Sequence, residues 1–74
     1  MSTVALNVKR IINERGYKKG AIAKMAGYNE KTFSNMLNGR KLISEQDIVK
    51  LTIVLDVTPN DLLDKTIING HQPA

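Results

Sequence analysis

The 74-residue chain carries a formal net charge of +4, contains no cysteine and is 42% hydrophobic. This length supports one domain near the lower limit for a self-supporting core, and the missing cysteines exclude a disulfide framework and zinc-finger spacing. No apolar run approaches the roughly 20 residues that span a bilayer, and the N-terminus lacks a signal-peptide pattern, so we expect a cytoplasmic protein without a membrane partner.

The basic charge is concentrated in the first half of the chain. Residues 1–15 carry a net charge of +2, residues 16–41 of +5 and residues 42–74 of −3. A polyanion would be attracted to the first two segments and repelled by the third. Uneven charge is also common on solvated surfaces, so the distribution favours a nucleic-acid partner without establishing one.

Two helices are predicted in the first part of the chain. The first covers about residues 4–15, ends at Gly16 and has its apolar side chains at helical spacing: Val4, Val8, Ile11 and Ile12. The second covers residues 19–26, and its inward residues are Ile22, Ala23 and Ala26. Its start is weak because Lys18 offers no capping acceptor and Gly20 lowers helix propensity by roughly 1 kcal/mol relative to alanine.

A third helix is predicted over residues 30–37, after a turn that contains Gly27. Asn29 is a good N-cap, and the acidic Glu30 suits the first turn. Its inward residues are Phe33, Met36 and Leu37.

Two further helices are predicted before residue 66. The fourth begins after Ser44, and Asp47 makes only a near-miss of the capping box, which prefers Glu or Gln. Its inward residues are Ile48, Leu51, Thr52 and Leu55. The fifth opens on Thr58-Pro59, a cap followed by proline at the first helical position, and Leu62 and Leu63 form its predicted buried pair.

The motifs along the chain resemble the Cro/CI-type helix-turn-helix family of phage and bacterial regulators, also called the XRE family. The resemblance runs without a gap over roughly residues 4–63. It is carried by Gly16-Tyr17, Lys18-Lys19, Ile22-Ala23, Gly27, Asn29-Glu30-Lys31, Thr32-Phe33, Asn38-Gly39-Arg40, Ser44, Leu51, Leu55-Asp56-Val57-Thr58 and Asp61-Leu62-Leu63. It implies an all-α, compact five-helix lambda-repressor-like domain over residues 1–68, with helices 2 and 3 as the helix-turn-helix, and a flexible C-terminal tail over residues 69–74.

The same resemblance implies which residues meet double-stranded DNA. Helix 3 is expected in the major groove, with base contacts from Glu30, Lys31, Ser34 and Asn35. Phosphate contacts are expected from Lys19, Tyr28, Asn29, Asn38, Arg40 and Lys41. Two of these residues have a second interpretation: Glu30 as a helix N-terminal charge only, and Tyr28 as a cover for the core.

Helix 4 is too apolar for a helix with one buried stripe, and Ile53 stands where the family usually has a charged residue. This excess indicates either scattered surface apolar residues or a homodimer surface formed by Ile53, Val57, Pro59, Ile67 and Ile68.

The predicted function is therefore a sequence-specific transcriptional regulator, with a repressor expected, that binds a DNA operator as a homodimer. The alternative is a protein-interaction module of the same fold, such as an antitoxin or an antirepressor-binding domain. We expect no enzyme activity, cofactor, metal or small-molecule substrate, since the only histidine, His71, lies in the tail and no P-loop pattern is present.

Overall fold

Five helices fold around one apolar core in the computed structural model, which describes residues 3–65. Within that range no residue forms a strand, and the predicted all-α architecture is confirmed. The helices are α1 (Thr3–Glu14), α2 (Lys19–Ala26), α3 (Glu30–Leu37), α4 (Glu45–Leu55) and α5 (Pro59–Leu63).

The core lies where α1 packs against α3, α4 and α5, and where α2 packs against α3 and α4. The apolar faces predicted for the first three helices are all buried. Among the largest fully buried side chains are Val8, Phe33, Met36, Leu51, Leu55 and Leu62. Because α3 packs against both α1 and α2, the orientation of its polar face is fixed by two helices.

Asn7 is the buried polar residue of this core, with no exposed surface. Its Nδ2 donates to the carbonyl oxygens of Leu62, at 2.6 Å, and of Asp64, at 3.1 Å. These carbonyls lie at the end of α5, and Asn7 supplies the donor that the terminal carbonyls of a helix need from outside the helix. Asn7 therefore ties α1 to the end of α5.

The prediction that Leu62 and Leu63 form a buried pair is half wrong. Leu62 is fully buried, whereas Leu63 is 50% exposed. A helix of only five residues presents a narrow face to the core, and adjacent residues point about 100° apart. Only one member of the pair can therefore face α1.

The N-terminus of α4 corrects a second prediction, because the Ser44–Asp47 capping box forms completely. Ser44 Oγ accepts from the backbone N–H of Asp47 at 3.2 Å, and Asp47 Oδ2 accepts from the backbone N–H of Ser44 at 2.9 Å. The shorter aspartate reaches the Ser44 backbone as the usual Glu or Gln would. An equivalent capping box, formed by Thr58 and Asp61, caps the N-terminus of α5.

The remaining helix ends are fixed by local backbone geometry. Gly16 ends α1 with φ of +70°, as predicted. Asp56 ends α4 in the left-handed conformation, and the guanidinium of Arg15 donates to the Leu55 carbonyl there. The predicted domain end at residue 68 and the predicted tail lie outside the described residues.

Candidate nucleic-acid interface

The turn between α2 and α3 is closed by its own backbone. Gly27, with φ of +85°, donates to the carbonyl of Lys24, and the next N–H, of Tyr28, donates to that of Ala23. The Asn29 side chain then accepts from the backbone N–H of Thr32 at 2.7 Å, which makes it the predicted N-cap of α3. These bonds fix the angle at which α3 leaves the turn, as a helix-turn-helix unit requires.

The two faces of α3 divide sharply into apolar and polar residues. Phe33, Met36 and Leu37 are at most 2% exposed. The opposite face holds the four residues predicted to contact bases, of which two are exposed and two are half-buried: Glu30, Lys31, Ser34 and Asn35. The fold therefore places all four on one accessible surface of one helix.

The side chain of Glu30 extends across the start of α2 and rests on Gly20. A β-carbon added at Gly20 would overlap with Glu30 Oε1. The Glu30 carboxylate thus occupies the space that a side chain at position 20 would need. The sequence shows Gly20 only as a helix-weakening residue, because a contact across ten positions leaves no signal in a helical pattern.

The predicted phosphate contacts flank this surface on both sides. Lys19 is the exposed first residue of α2, and Asn29 is exposed at the start of α3. At the far end, the backbone N–H groups of Arg40 and Lys41 both donate to the Asn35 carbonyl, at 2.8 and 3.2 Å. These bonds fold the chain back over the end of α3 and keep the exposed side chains of Asn38, Arg40 and Lys41 beside it.

Tyr28 has partners inside the protein. Its ring stacks on that of Phe33, with centroids 5.8 Å apart, and the Lys50 Nζ lies 5.3 Å from its ring centroid. Its hydroxyl donates to Asp47 Oδ1. Burial, followed by the bond and the charge of Asp47, raises the pKa of Tyr28 well above its usual value. These contacts agree with the second interpretation of Tyr28, that it covers the core.

The residues predicted for a dimer surface differ in exposure. Ile53 is 73% exposed and Pro59 is exposed, while Val57 is half-buried against the core. Ile67 and Ile68 lie outside the described residues. Two exposed residues that the sequence did not single out for this surface are Val49, one turn before Ile53, and Leu63.

The described residues contain neither a metal-binding cluster nor a membrane-spanning helix. Residues 3–65 bring together no group of three or more His, Cys, Asp or Glu side chains suited to a metal ion. None of the helices in this range has the length and apolar character needed to cross a membrane.

The family model for the Cro/C1-type HTH DNA-binding domain matches residues 7–65. The chain belongs to this family. The match contains the whole of α2 to α5 and therefore the entire helix-turn-helix. A comparison with curated proteins found no significant match, and neither did one with solved structures. Membership of this family implies that the domain binds DNA, and domains of this family are typically non-enzymatic.

Proposed function

We propose that this protein is a sequence-specific regulator of transcription that reads the major groove of an operator with α3, and that it acts as a repressor in the cytoplasm by occupying its site. The observation that carries the proposal is the accessible polar face of α3 with basic residues at both of its ends. Family membership supports DNA as the partner, and the +5 charge of residues 16–41 supports attraction to a duplex.

Each residue of the polar face has a chemistry that suits a base edge. Lys31 can donate to the O6 or N7 of guanine, and Asn35 can pair with adenine through two hydrogen bonds. Glu30 can accept from the N4 of cytosine if its carboxylate leaves Gly20, and Ser34 can donate or accept. We assign sequence recognition chiefly to Lys31 and Asn35, because Glu30 already has an intramolecular resting place and is repelled by phosphates.

The surrounding exposed residues position the domain on the backbone of the duplex. Lys19 stands at the N-terminus of α2, where a side chain and free N–H groups can meet one phosphate. Asn29, at the start of α3, is a second proposed phosphate contact. Beyond the end of α3, the proposed phosphate contacts are Asn38, Arg40 and Lys41. We leave Tyr28 out of this group because its hydroxyl donates to Asp47.

A homodimer completes the proposal. Ile53 and Val49 are exposed on α4, in the acidic part of the chain that a duplex repels, so this apolar surface is free for a second copy. A two-fold dimer would place two copies of α3 about 34–36 Å apart, one helical turn of DNA. Its operator would then be palindromic.

The test is in vitro selection of bound duplexes, followed by titration of the selected and a random duplex at several salt concentrations. We expect affinity to fall steeply with salt and the selected duplex to bind at least ~1,000-fold more tightly than the random one. A flat salt response, or no binding at low salt, would contradict DNA binding. It would leave the protein-interaction module as the function.

Alanine variants of three lysines and one asparagine separate base contacts from phosphate contacts. Lys31→Ala and Asn35→Ala should each cost about 1–3 kcal/mol on the selected duplex and relax its preference at one position. Lys19→Ala should weaken all duplexes alike and reduce the salt slope by about one. Lys65→Ala is the matched control, an exposed lysine in the acidic part of the chain, and should change neither.

A further inference from the structure

We infer that Asp47 is a positioning residue for DNA recognition: through Tyr28 it fixes the start of α3 relative to α4, and so sets sequence preference without touching DNA. The inference rests on the proposed reading of bases by α3. It differs from that proposal in assigning selectivity to a contact 19 positions apart in sequence, outside the polar face.

The carboxylate of Asp47 serves two elements at once. Its Oδ2 accepts from the backbone N–H and the hydroxyl of Ser44, both at 2.9 Å, and so closes the capping box of α4. Its Oδ1 accepts from the hydroxyl of Tyr28, in the turn of the helix-turn-helix. One side chain therefore joins the first turn of α4 to the turn before α3.

Tyr28 is restrained strongly enough to transmit this contact. Its N–H donates to the Ala23 carbonyl at 2.8 Å, and its ring stacks on Phe33 inside α3 at an interplanar angle of 11°. The next residue is Asn29, whose side chain caps α3. A displacement of the Tyr28 ring would therefore move the cap and the first turn of the helix that reads DNA.

The second capping box shows that a cap alone does not need the tyrosine. Asp61 Oδ2 accepts from the backbone N–H of Thr58 at 2.8 Å, and Thr58 Oγ1 accepts from the N–H of Asp61 at 3.2 Å. This box caps the N-terminus of α5, and its aspartate, Asp61, is exposed. The bond from Tyr28 to Asp47 is thus not needed to cap α4, and it links the turn before α3 to the first turn of α4.

A shift of α3 affects the two kinds of DNA contact differently. Hydrogen bonds to base edges need donor and acceptor within a few tenths of an ångström and a narrow range of angle. Long lysine and arginine side chains follow a displaced phosphate, and the charge attraction remains. Loss of the link should therefore lower sequence preference while leaving affinity for bulk DNA almost unchanged.

The experiment compares the full chain with Asp47→Ala, Tyr28→Phe and the double variant. For each, the dissociation constants for the selected duplex and for a random duplex of equal length are measured at one salt concentration. Each single variant should lower the ratio of the two affinities by about tenfold, the value of one hydrogen bond to a base edge that a shifted α3 no longer makes. The double variant should lower it no further, since both changes remove the same bond. Tyr28→Phe removes only a hydroxyl, so it keeps the test valid if Asp47→Ala does not fold.

Two controls remove a cap without removing the link. Ser44→Ala breaks the cap of α4 and leaves Asp47 Oδ1 for Tyr28, whereas Asp61→Ala breaks the matching box of α5. Both should lower the melting temperature and keep the affinity ratio of the unmodified chain. A loss of preference in these controls equal to that of Asp47→Ala would assign the effect to general stability and overturn the inference.

The outcomes separate the inference from the proposed function. If the unmodified chain shows no preference for any duplex, the proposed function fails and the inference fails with it. If the chain is selective and Asp47→Ala and Tyr28→Phe keep the ratio, the inference alone fails. Equal weakening of both duplexes by Tyr28→Phe alone would show instead that its hydroxyl binds a phosphate.

Discussion

Asn7 stabilises this small domain through contacts that the helical spacing of apolar residues does not predict. It lies on the same face of α1 as Val4, Val8 and Ile11. A polar residue within an apolar stripe does not indicate which groups it will bond in the folded protein. Those partners are backbone carbonyls 55 and 57 positions away. The sequence predicts the stripe; only the packing of α1 on α5 makes Asn7 a cap for another helix.

Asn7→Ala should lower the free energy of unfolding by about 2–3 kcal/mol, since it removes two hydrogen bonds and leaves a small cavity. Asn7→Asp should cost more, because a carboxylate cannot donate to the carbonyls of Leu62 and Asp64 that it would face. Urea unfolding measures both. Asn13→Ala, at an exposed asparagine of the same helix, is the control and should change stability little. Equal effects at the two asparagines would contradict the bridging role.

Two glycines of the helix-turn-helix should respond to alanine with opposite signs. Gly20→Ala should stabilise the domain by about 0.5–1 kcal/mol, because alanine is the better helix former and the atom in its way is the mobile end of the exposed Glu30. Gly27→Ala should destabilise it by about 1 kcal/mol, since φ is +85° there although space is open. Thermal unfolding of both variants decides this. Destabilisation by Gly20→Ala that Glu30→Ala does not relieve would show that backbone, rather than the carboxylate, fills the space.

Among the described residues, the sequence predicts every helix and nearly all of the helix bounds. The bounds of α2 and α3 are as expected, and those of α1 are within one residue. Caps, glycine stops and apolar spacing act locally, so one chain is sufficient to place them. Contacts between elements are different. Three features depend on how the helices pack, which no local pattern contains. They are the hydrogen bond from Tyr28 to Asp47, the contact of the Glu30 carboxylate with Gly20, and the exposure of Leu63.

The two capping boxes should make the domain sensitive to acid. Burial opposes ionisation of Asp47, but hydrogen bonds from Tyr28 and Ser44 together outweigh it and lower its pKa; bonds from Thr58 chiefly lower that of Asp61. A lowered pKa in the folded state gives stability that is complete above the ordinary value near 4 and is lost as the pH falls below it.

The double variant Asp47→Asn, Asp61→Asn tests this at the level of the two helices. It should be less stable than the unmodified chain at pH 7 and should lose less stability between about pH 5 and pH 2.5. Urea midpoints across this range measure the difference. Curves that remain parallel would show that neither carboxylate is linked to folding through its charge.

Over the full chain, the basic segment and the proposed dimer surface on α4 lie in different parts of the sequence. The basic segment, residues 16–41, contains the helix-turn-helix, whereas the exposed Val49 and Ile53 belong to the acidic segment, residues 42–74. A duplex is attracted to the first and repelled by the second, so DNA and a second copy of the chain would not compete. This division is legible in the sequence, but the exposure of each apolar residue is not, because Val57 and Ile53 lie four positions apart and differ in burial.

The proposed dimer should respond to Ile53→Ser and not to Leu42→Ser. Both residues are exposed aliphatic side chains, 73% and 92% respectively, but only Ile53 lies on α4. Burial of an isoleucine contributes about 1.5–3 kcal/mol, so Ile53→Ser should raise the dissociation constant of the dimer at least ~10-fold. Sedimentation equilibrium measures it, and a chain that is monomeric at every concentration would contradict the dimer.

Salt gives an independent check, because the two associations of this molecule should respond to it in opposite directions. DNA binding releases condensed ions and weakens as salt rises. The dimer would bring two acidic segments together, residues 42–64 of each copy, so salt should screen their repulsion and tighten it. A dimer that dissociates in salt would place the contact between oppositely charged parts of the two copies. It would then use the basic segment, and bound DNA would have to displace the second copy.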